Sequence, residues 1–371
     1  MENKPNYDIV LSQETVDKIV SYKNDLFANE LKPGFYLKQI LDTNKSPLNE
    51  ISIERFVECL LLTKKPIIFA THGIKGGGVD WNDMEFQILG DINIAMNVTI
   101  YDNGVWVPKN SSFRVHNPPL NGALLFTPGP VLRSKKKAAM NPDMKEVISR
   151  NAIDQYNYNR LMERRLMPLF YYANENAKQD NQQAFITIPG IGCGVFAGHF
   201  RGKMAEHLNQ ALQYILKKHA KHYDNIACIY FDSFDECTNE THQIDGVSYR
   251  VRPTSQNPNK PQLCDPKHYE EPGDDFSNCK LHKVVAWDHV SFPGNNYFKA
   301  SRKTDDGVSA AATNSMEVIT GIKGRYHKGD YFPPKGNTNW EDVVNKNHIT
   351  LRAKDNVKVA TADGSLIDLK E

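Results

Sequence analysis

Residues 185–198 read FITIPGIGCGVFAG, and the chain that follows them has helical periodicity. The apolar start is typical of a buried strand. The four glycines after it leave the backbone free to adopt positive φ and to lie close to a ligand. A glycine-rich loop between a strand and a helix offers unpaired N–H groups and a helix dipole to an anion, most often a phosphate. The stretch therefore predicts either a phosphate-binding loop or a tight turn that binds nothing.

Strands and helices alternate on both sides of this stretch. Apolar periodicity predicts helices over 14–31, 51–62, 142–178, 202–222 and 308–319, with a kink or break at Pro168. Short apolar runs predict strands over 65–71, 123–127, 185–189, 225–232 and 283–287, and a hairpin over 91–107. The alternation indicates a mixed α/β fold. We expect residues 1–64 to be an N-terminal helical extension packed on the core, and residues 65–371 to be one domain. An irregular insertion is expected at 239–280, and the last fifty residues are polar and loop-rich.

The composition narrows the class of protein. Lysine and arginine number 45 and aspartate and glutamate 44, which argues against nucleic-acid binding through a large charge excess. No apolar run reaches the roughly 18 residues of a membrane-spanning helix, and the N-terminus lacks the apolar core of a signal peptide. The six cysteines form no CxxC pair, so a zinc site is not expected. We expect a soluble protein without nucleic-acid or membrane partners, and these features do not determine the oligomeric state.

Polar or glycine-rich loops follow three predicted strands, at 71–80, 189–199 and 288–307. In an open α/β sheet, ligands bind beyond the carboxyl ends of the strands. In the last loop, Asp288 follows its strand directly, Asn295 and Asn296 come next, and Asp305 and Asp306 precede a helix. Taken alone, the two adjacent acids fit a helix N-cap and first turn, and the asparagines fit a plain turn. Their occurrence together with a phosphate-type loop favours a ligand site.

Two motifs of the chain resemble those of macrodomains, which bind ADP-ribose. The first is PGIGCGVFAG at 189–198, and the second is the set VVAWD, PGNN and TDDGVSAAA within 284–312. In most macrodomains the second motif precedes the first, so the order here is permuted. This arrangement resembles the MavL-like macrodomain effectors of Legionella, which remove ADP-ribose from arginine, including arginine on ubiquitin. The resemblance covers residues 65–322 and implies a macrodomain-like mixed sheet flanked by helices.

The resemblance also implies roles for individual residues. The acids of the family fall on Asp288 and Asp306, and Asp305 is expected to assist Asp306 in catalysis. A third acid of the family pattern is replaced by Asn296, whose amide can hold a ribose hydroxyl but cannot act as a base. The backbone amides expected to bind the diphosphate of ADP-ribose belong to Gly190, Ile191, Gly192, Cys193, Gly194, Val195, Phe196 and Ala197.

Further contacts with ADP-ribose are implied elsewhere. Asn295, Asn296 and Asp288 would hold ribose hydroxyls or the arginine guanidinium. His72 would contact the ligand from its own strand end. Phe231 or Tyr230, at the end of the strand predicted over 225–232, would stack on the adenine, or would simply pack in the core. Asp232, directly after Phe231, would accept the adenine amino group.

The implied activity is hydrolysis of the N-glycosidic bond between ADP-ribose and arginine on a modified protein, with ubiquitin as a candidate partner. ADP-ribose is then the ligand and product, and no cofactor or metal is expected. One alternative is a reader module that binds ADP-ribose without cleaving it. Another is a different nucleotide hydrolase or a poly-ADP-ribose glycohydrolase. The latter is disfavoured because Val79-Asp80, not paired glutamates, follows the triple glycine 76–78. The family also implies a bacterial effector delivered into the host cytosol without a conventional signal peptide.

Overall fold

The computed structural model describes residues 4–44, 46–68, 80–106, 113–133 and 140–369. The strands are β1 Asp8–Ser12, β2 Asn93–Asp102, β3 Val115–Pro128, β4 Ile148–Ser149, β5 Ala152–Ile153, β6 Gln183–Pro189, β7 Ile226–Asp232, β8 Glu240–Ile244, β9 Val247–Val251, β10 Cys279–Trp287, β11 Arg325–His327, β12 Asp330–Phe332, β13 Val357–Ala360 and β14 Leu366–Asp368. The α-helices are α1 Gln13–Phe27, α2 Phe35–Thr43, α3 Ile53–Leu62, α4 Asp83–Asp91, α5 Pro142–Val147, α6 Gln155–Gln179, α7 Met204–His219, α8 Asp305–Ala312, α9 Ser315–Thr320 and α10 Trp340–Asn347. Short 3₁₀ helices span Val195–Phe200, Ala220–His222, Pro266–Tyr269 and Asn295–Lys299.

One large mixed sheet organises the chain, with the strand order β14-β13-β1-β2-β3-β10-β6-β7-β9-β8. Its middle strands β3, β10, β6, β7 and β9 are all parallel to their neighbours within this group. They are rich in apolar residues, as expected for parallel strands that are covered on both faces. The carboxyl ends of all five strands therefore lie at one edge of the sheet.

Helices cover the sheet on both faces. The core on one face is built with α6 and α7, and the core on the other face with α1, α3, α4, α8, α9 and α10. Helix α6 is buried along most of its length, and Pro168 lies inside it without ending it. The predicted mixed α/β fold is therefore confirmed.

The sheet also contains strands that the local sequence did not indicate. β1 lies between β2 and β13, so both the N-terminal region and the polar C-terminal region contribute to the sheet. The insertion at 239–280 is only partly irregular, because β8 and β9 form a hairpin on β7. The turn of that hairpin is Asp245-Gly246, a dipeptide typical of two-residue hairpins.

The long helix predicted over 142–178 is divided in the structure. α5 ends at Val147, and the small hairpin of β4 and β5 separates it from α6. Arg150 and Asn151 form the turn, with φ of 51° and 62°. Two consecutive left-handed residues cannot continue a right-handed helix, so the helical periodicity on either side misses this break. The hairpin predicted over 91–107 is wrong in its return strand, which is β3 at Val115–Pro128, so that Asp102 pairs with Val115.

Candidate functional site

The acid loop, residues 288–306, leaves the centre of the sheet at the end of β10. Pro293-Gly294 turns the chain, and Gly294 has a left-handed φ of 84° that a side chain would disfavour. The loop then forms the 3₁₀ helix Asn295–Lys299 and enters α8, whose N-cap Thr304 accepts a hydrogen bond from the backbone N–H of Gly307 at 3.2 Å. The sequence PGNN therefore folds into a turn that brings Asn295 back under the start of α8.

Asp288 and Asp306 are joined through Asn295. The backbone N–H of Asn295 donates to Asp306 Oδ2 at 2.9 Å, and its side-chain Nδ2 donates to Asp288 Oδ2 at 2.8 Å. Asp306 Oδ1 accepts a hydrogen bond from the Thr304 hydroxyl at 2.8 Å. Asp306 and Asn295 are both only 4 % exposed, whereas Asp288 is half-buried. The structure thus brings together three of the residues that the sequence placed in the site.

The surroundings of the two acids disfavour their ionisation. Burial raises the pKa of Asp306 to about 7, and the negative charge of Asp288 adds to this rise. Burial also raises the pKa of Asp288, although hydrogen bonding from Asn295 opposes it. Two coupled carboxyl groups in low dielectric resist carrying two negative charges. The pair can therefore hold and release a proton close to neutral pH, which suits general acid–base chemistry.

Asp305 points to the sheet and has other partners. Its Oδ1 lies 2.7 Å from the ammonium of Lys283, and its Oδ2 accepts the backbone N–H of Ala286 at 2.9 Å. Lys283 is 2 % exposed. This buried ion pair ties the first turn of α8 to β10. In this geometry Asp305 is an anchor of the acid loop, and Asp306 is the acid that remains beside Asp288.

The glycine loop, residues 190–198, is held by close backbone packing against the chain after β3. Gly192 has φ of 75°, and a Cβ added there would lie 2.8 Å from Cδ of Pro130. A Cβ on Gly129 would lie 2.7 Å from the backbone N of Gly192. On the same side, the backbone N–H of Leu132 donates to the carbonyl of Phe196 at 2.7 Å. Gly194 and Val195 are exposed between these contacts, so the loop presents its middle to solvent.

The helix after the glycine loop begins later than the sequence indicates. Residues 195–200 form a 3₁₀ helix, and α7 begins only at Met204. The carboxylate of Glu236 accepts the backbone N–H groups of Gly202 at 3.1 Å and Ala205 at 2.7 Å. The N-terminal charge of α7 is thus already neutralised by a side chain. An anion on the glycine loop would depend on the amides of the loop itself, not on the dipole of α7.

The residues predicted to bind adenine are buried and have little surface for contact with a ligand; they are Tyr230, Phe231 and Asp232. Phe231 is fully buried in the core beneath α6 and α7, which is the alternative that the sequence left open. The carboxylate of Asp232 accepts the backbone N–H groups of Phe234 at 2.9 Å and Thr254 at 2.8 Å, and the amide of Gln262 at 3.0 Å. Asp232 therefore organises the loop after β7.

An exposed aromatic residue follows Asp232 at this edge. Phe234 is 65 % exposed and has φ of 63°. A bulky residue is strained in the left-handed region, and exposing a phenyl ring to water is also unfavourable. The sequence offered one signal for it, a phenylalanine placed two residues beyond a buried strand.

A buried charge network beneath the site was missed by sequence reasoning. Arg165 on α6 lies 2.6 Å from Asp143 and donates to the carbonyl of Pro128 at 3.3 Å. Asp143 also accepts the backbone N–H of Val131 at 2.8 Å and bonds His289 Nε2 at 3.0 Å. Burial lowers the pKa of His289, so its neutral ring donates to Asp143 through Nε2. The network fixes the ends of β3 and β10 together; its signal in the sequence was the Arg164-Arg165 pair within an otherwise buried helix.

His72 and the triple glycine at 76–78 lie outside the described residues. Within the described ranges, no group of three His, Cys, Asp or Glu side chains could hold a metal ion. No helix in the part of the chain that the structure describes is long and apolar enough to cross a membrane.

A mixed sheet whose parallel strands end in an acid loop and a glycine loop at a common edge defines the macrodomain class. The family described as "Macrodomain effector MavL" matches residues 7–337, which is nearly the whole chain. The chain therefore belongs to the MavL macrodomain effector family, and the resemblance seen in the sequence is confirmed. Membership points to a macrodomain function related to ADP-ribose. A search of curated proteins finds no match.

Proposed function

We propose that this protein is an ADP-ribosylhydrolase that releases ADP-ribose from arginine side chains of modified proteins. One observation carries the proposal: a buried acid whose pKa is raised to about 7, Asp306, lies beside Asp288 at the sheet edge that also carries the glycine loop. A module that only bound ADP-ribose would not need two adjacent carboxyl groups that both resist ionisation. A hydrolase would gain a base that works near neutral pH.

In the proposed complex, ADP-ribose lies along the carboxyl edge of the sheet. The amides of the glycine loop hold the diphosphate, because the exposed Gly194 and Val195 leave that stretch of backbone accessible. The guanidinium of Arg133 lies 5.8 Å from the ring centroid of Phe196, and it would pair with the same diphosphate. Phe234 replaces Phe231 as the residue proposed to stack on adenine. Asp232 then acts by holding the loop of Phe234.

The distal ribose would lie between the two loops, near Asn296. This residue is half-buried, and a Cβ on Gly307 would lie 3.6 Å from its Cβ, so it borders the first turn of α8 beside Asp306. Its amide could donate to and accept from ribose hydroxyls. Asn296 thus keeps the binding role expected from the sequence, whereas a step that requires a third carboxylate is not part of the proposal.

The proposed reaction uses a water molecule and Asp306. The carboxylate of Asp306 takes a proton from water, whose oxygen bonds to the anomeric carbon while the bond from that carbon to the guanidinium nitrogen breaks. The electron pair of the broken bond stays on the nitrogen, and the released guanidine takes up the proton to become guanidinium. Asp288 is half-buried and would face the guanidinium and the positive charge that develops on the ribose.

A reader module remains the second candidate, and the observation in its favour is Asn296 at the position of an expected acid. The two functions differ in what the buried acids contribute. In a reader, replacement of Asp306 would change affinity for ADP-ribose or change nothing. In a hydrolase, it would change turnover far more than affinity.

The test measures ADP-ribose release from an arginine-ADP-ribosylated protein, with ADP-ribosylated ubiquitin as one substrate. We expect wild-type turnover to rise with pH around a midpoint near 7, and Asp306→Asn to lose about 100-fold or more of kcat. Calorimetry should show ADP-ribose affinity within about threefold of wild type. Asp42→Asn, the same change at an exposed site on α2, is the control and should be fully active. Binding without turnover by the wild type would favour the reader, and neither binding nor turnover would overturn both. Action in the host cytosol also remains a proposal, drawn from the effector family.

A further inference from the structure

Asn295 makes more polar contacts than any plain turn requires. Its side-chain Nδ2 donates to Asp288 Oδ2 at 2.8 Å and to the carbonyl of Ile68 at 3.0 Å. Its Oδ1 accepts the backbone N–H of Ile68 at 2.7 Å, and its own backbone N–H donates to Asp306 Oδ2 at 2.9 Å. Both amide hydrogens are thus committed, and the residue is 4 % exposed. This leaves Asn295 without a free donor for a ribose hydroxyl.

We propose that Asn295 is a positioning residue that couples Asp288 to Asp306, and that it does not bind the ribose. The proposal rests on the proposed hydrolase function and adds the device that assembles its two acids. Through the paired bonds with Ile68, the side chain imitates the peptide unit of a neighbouring strand and holds the segment after α3 against the acid loop. Through its two N–H groups that face carboxylates, it sets the distance and orientation between the acids.

The choice of asparagine follows from this arrangement. The position needs a side-chain amide, whose nitrogen donates two hydrogen bonds and whose oxygen accepts one. The amide must also be joined to the backbone by a single methylene group, as it is in asparagine. Aspartate has the same shape but would face the Asp288 carboxylate and the Ile68 carbonyl with a charged oxygen instead of an N–H group. Alanine would remove all side-chain contacts and keep only the backbone bond to Asp306. The two substitutions therefore disturb the acids to different degrees.

The charges around the acids make this coupling measurable as a function of pH. Lys64 is buried and contacts both chain neighbours of Asp288. Its ammonium donates to the carbonyl of His289 and lies 4.1 Å from the ring centroid of Trp287. The neutral ring of His289 points to Asp143. Asp305 on α8 is neutralised by Lys283. The hydroxyl of Thr304 donates to Asp306 at 2.8 Å, and the hydroxyl of Ser291 lies 3.5 Å from Asp288. Each of these groups favours a negative charge on one acid, whereas Asn295 donates to both acids of the Asp288–Asp306 pair. Without its side chain, the pair should lose its last proton at a higher pH.

The experiment compares wild type with Asn295→Ala and Asn295→Asp over pH 5 to 9. We expect the acidic limb of kcat to move upward by about one pH unit in Asn295→Ala, and further in Asn295→Asp, which adds a third carboxylate. ADP-ribose affinity at pH 8 should stay within about threefold of wild type for Asn295→Ala. Asn296→Ala is the matched control and should give the opposite pattern, weaker affinity with an unmoved limb. An unmoved limb in Asn295→Ala would overturn the proposal, whether its affinity falls or stays.

A second readout separates this proposal from the proposed activity. The carboxyl carbons of Asp288 and Asp306 can be titrated by NMR in wild type and Asn295→Ala without any substrate. A higher last pKa in the variant would support the coupling even if the wild type releases no ADP-ribose. Identical titration curves would overturn it even if the hydrolase activity is found. Because only Asn295→Ala is needed, a failure of Asn295→Asp to fold leaves this test intact.

Discussion

The acid loop and the glycine loop lie at the same edge of one sheet but are held in different ways. The acid loop is fixed by side chains: Asn295, Thr304 and the Lys283–Asp305 ion pair occupy its interior. The glycine loop is fixed by backbone packing against the chain after β3, and its middle is exposed. The loop proposed to do chemistry is thus the one with buried, mutually bonded polar groups. The loop proposed to bind is the one with free backbone, so damage to each should have a different signature.

The largest expected effect is the loss of folding stability when the Lys283–Asp305 ion pair, which anchors the acid loop, is broken. Lys283→Met removes the cation from the Asp305 carboxylate, whose side chain is 15 % exposed, and this should destabilise the fold by about 3–5 kcal/mol. Adding Asp305→Asn should recover much of this loss, because the unpaired charge is removed. Denaturant unfolding at pH 7 gives both values. Lys178→Met is the control, since its ion pair with Asp224 is exposed, and a comparable loss there would remove burial as the cause.

A second prediction concerns the free-energy cost of ionising Asp306 in the folded protein. Raising its pKa from 3.8 to about 7 makes ionisation cost on the order of 4 kcal/mol more in the folded than in the unfolded chain. The folded state favours the protonated form, so this stabilisation is complete below pH 4 and is lost as the pH rises to 7. Asp306→Asn should therefore be more stable than wild type at pH 8, by up to that amount, and no more stable at pH 4. Equal stability at pH 8 would mean that Asp306 ionises normally.

The glycine loop should respond to its own substitution in a different way. Gly192→Ala forces a side chain into a left-handed backbone and against Pro130, at a cost of about 1–3 kcal/mol. The displaced amides should weaken ADP-ribose binding by about tenfold or more while the pH midpoint of turnover stays unchanged. Gly321→Ala is the control, because this glycine at the end of α9 has a similar left-handed φ of 70° but its new methyl group would meet nothing within 4 Å. Calorimetry and pH profiles of both variants decide whether the two loops act separately.

The smallest expected effect is a loss of ADP-ribose affinity at the part of the site proposed to bind adenine. Phe234→Ala should weaken ADP-ribose binding by about three- to tenfold, the worth of one aromatic stacking contact, and should leave stability nearly unchanged. Phe231→Ala should do the reverse and destabilise the core by about 3–5 kcal/mol. Affinity that depends on Phe231 at constant stability would return the stacking role to the buried ring.

The fold and the position of the acid loop could be predicted from the sequence, because local patterns reveal strands and parallel strands end at one edge of a sheet. Apolar runs ending at Pro189 and Trp287, followed by polar loops, were enough to place both loops at one edge. Partners distant in the chain were beyond local signals: Glu236 caps α7, Lys283 binds Asp305, and Asp143 bonds His289. Periodicity tells which face of an element is buried, but it does not tell which charged side chain will meet another.

The pairing of β1 with β13 has a consequence for how the protein is made. Ile9 lies opposite Val357 in the register, so the two strands meet only across nearly the full length of the chain. Contacts of such sequence separation form late, because a long loop must close before they stabilise the fold. The edge of β1 that pairs with β13 therefore stays unpaired until residues 357–360 have been synthesised. An unpaired strand edge can associate with other chains. Residues 357–368 thus complete a sheet to which residues 8–12 already contribute a strand.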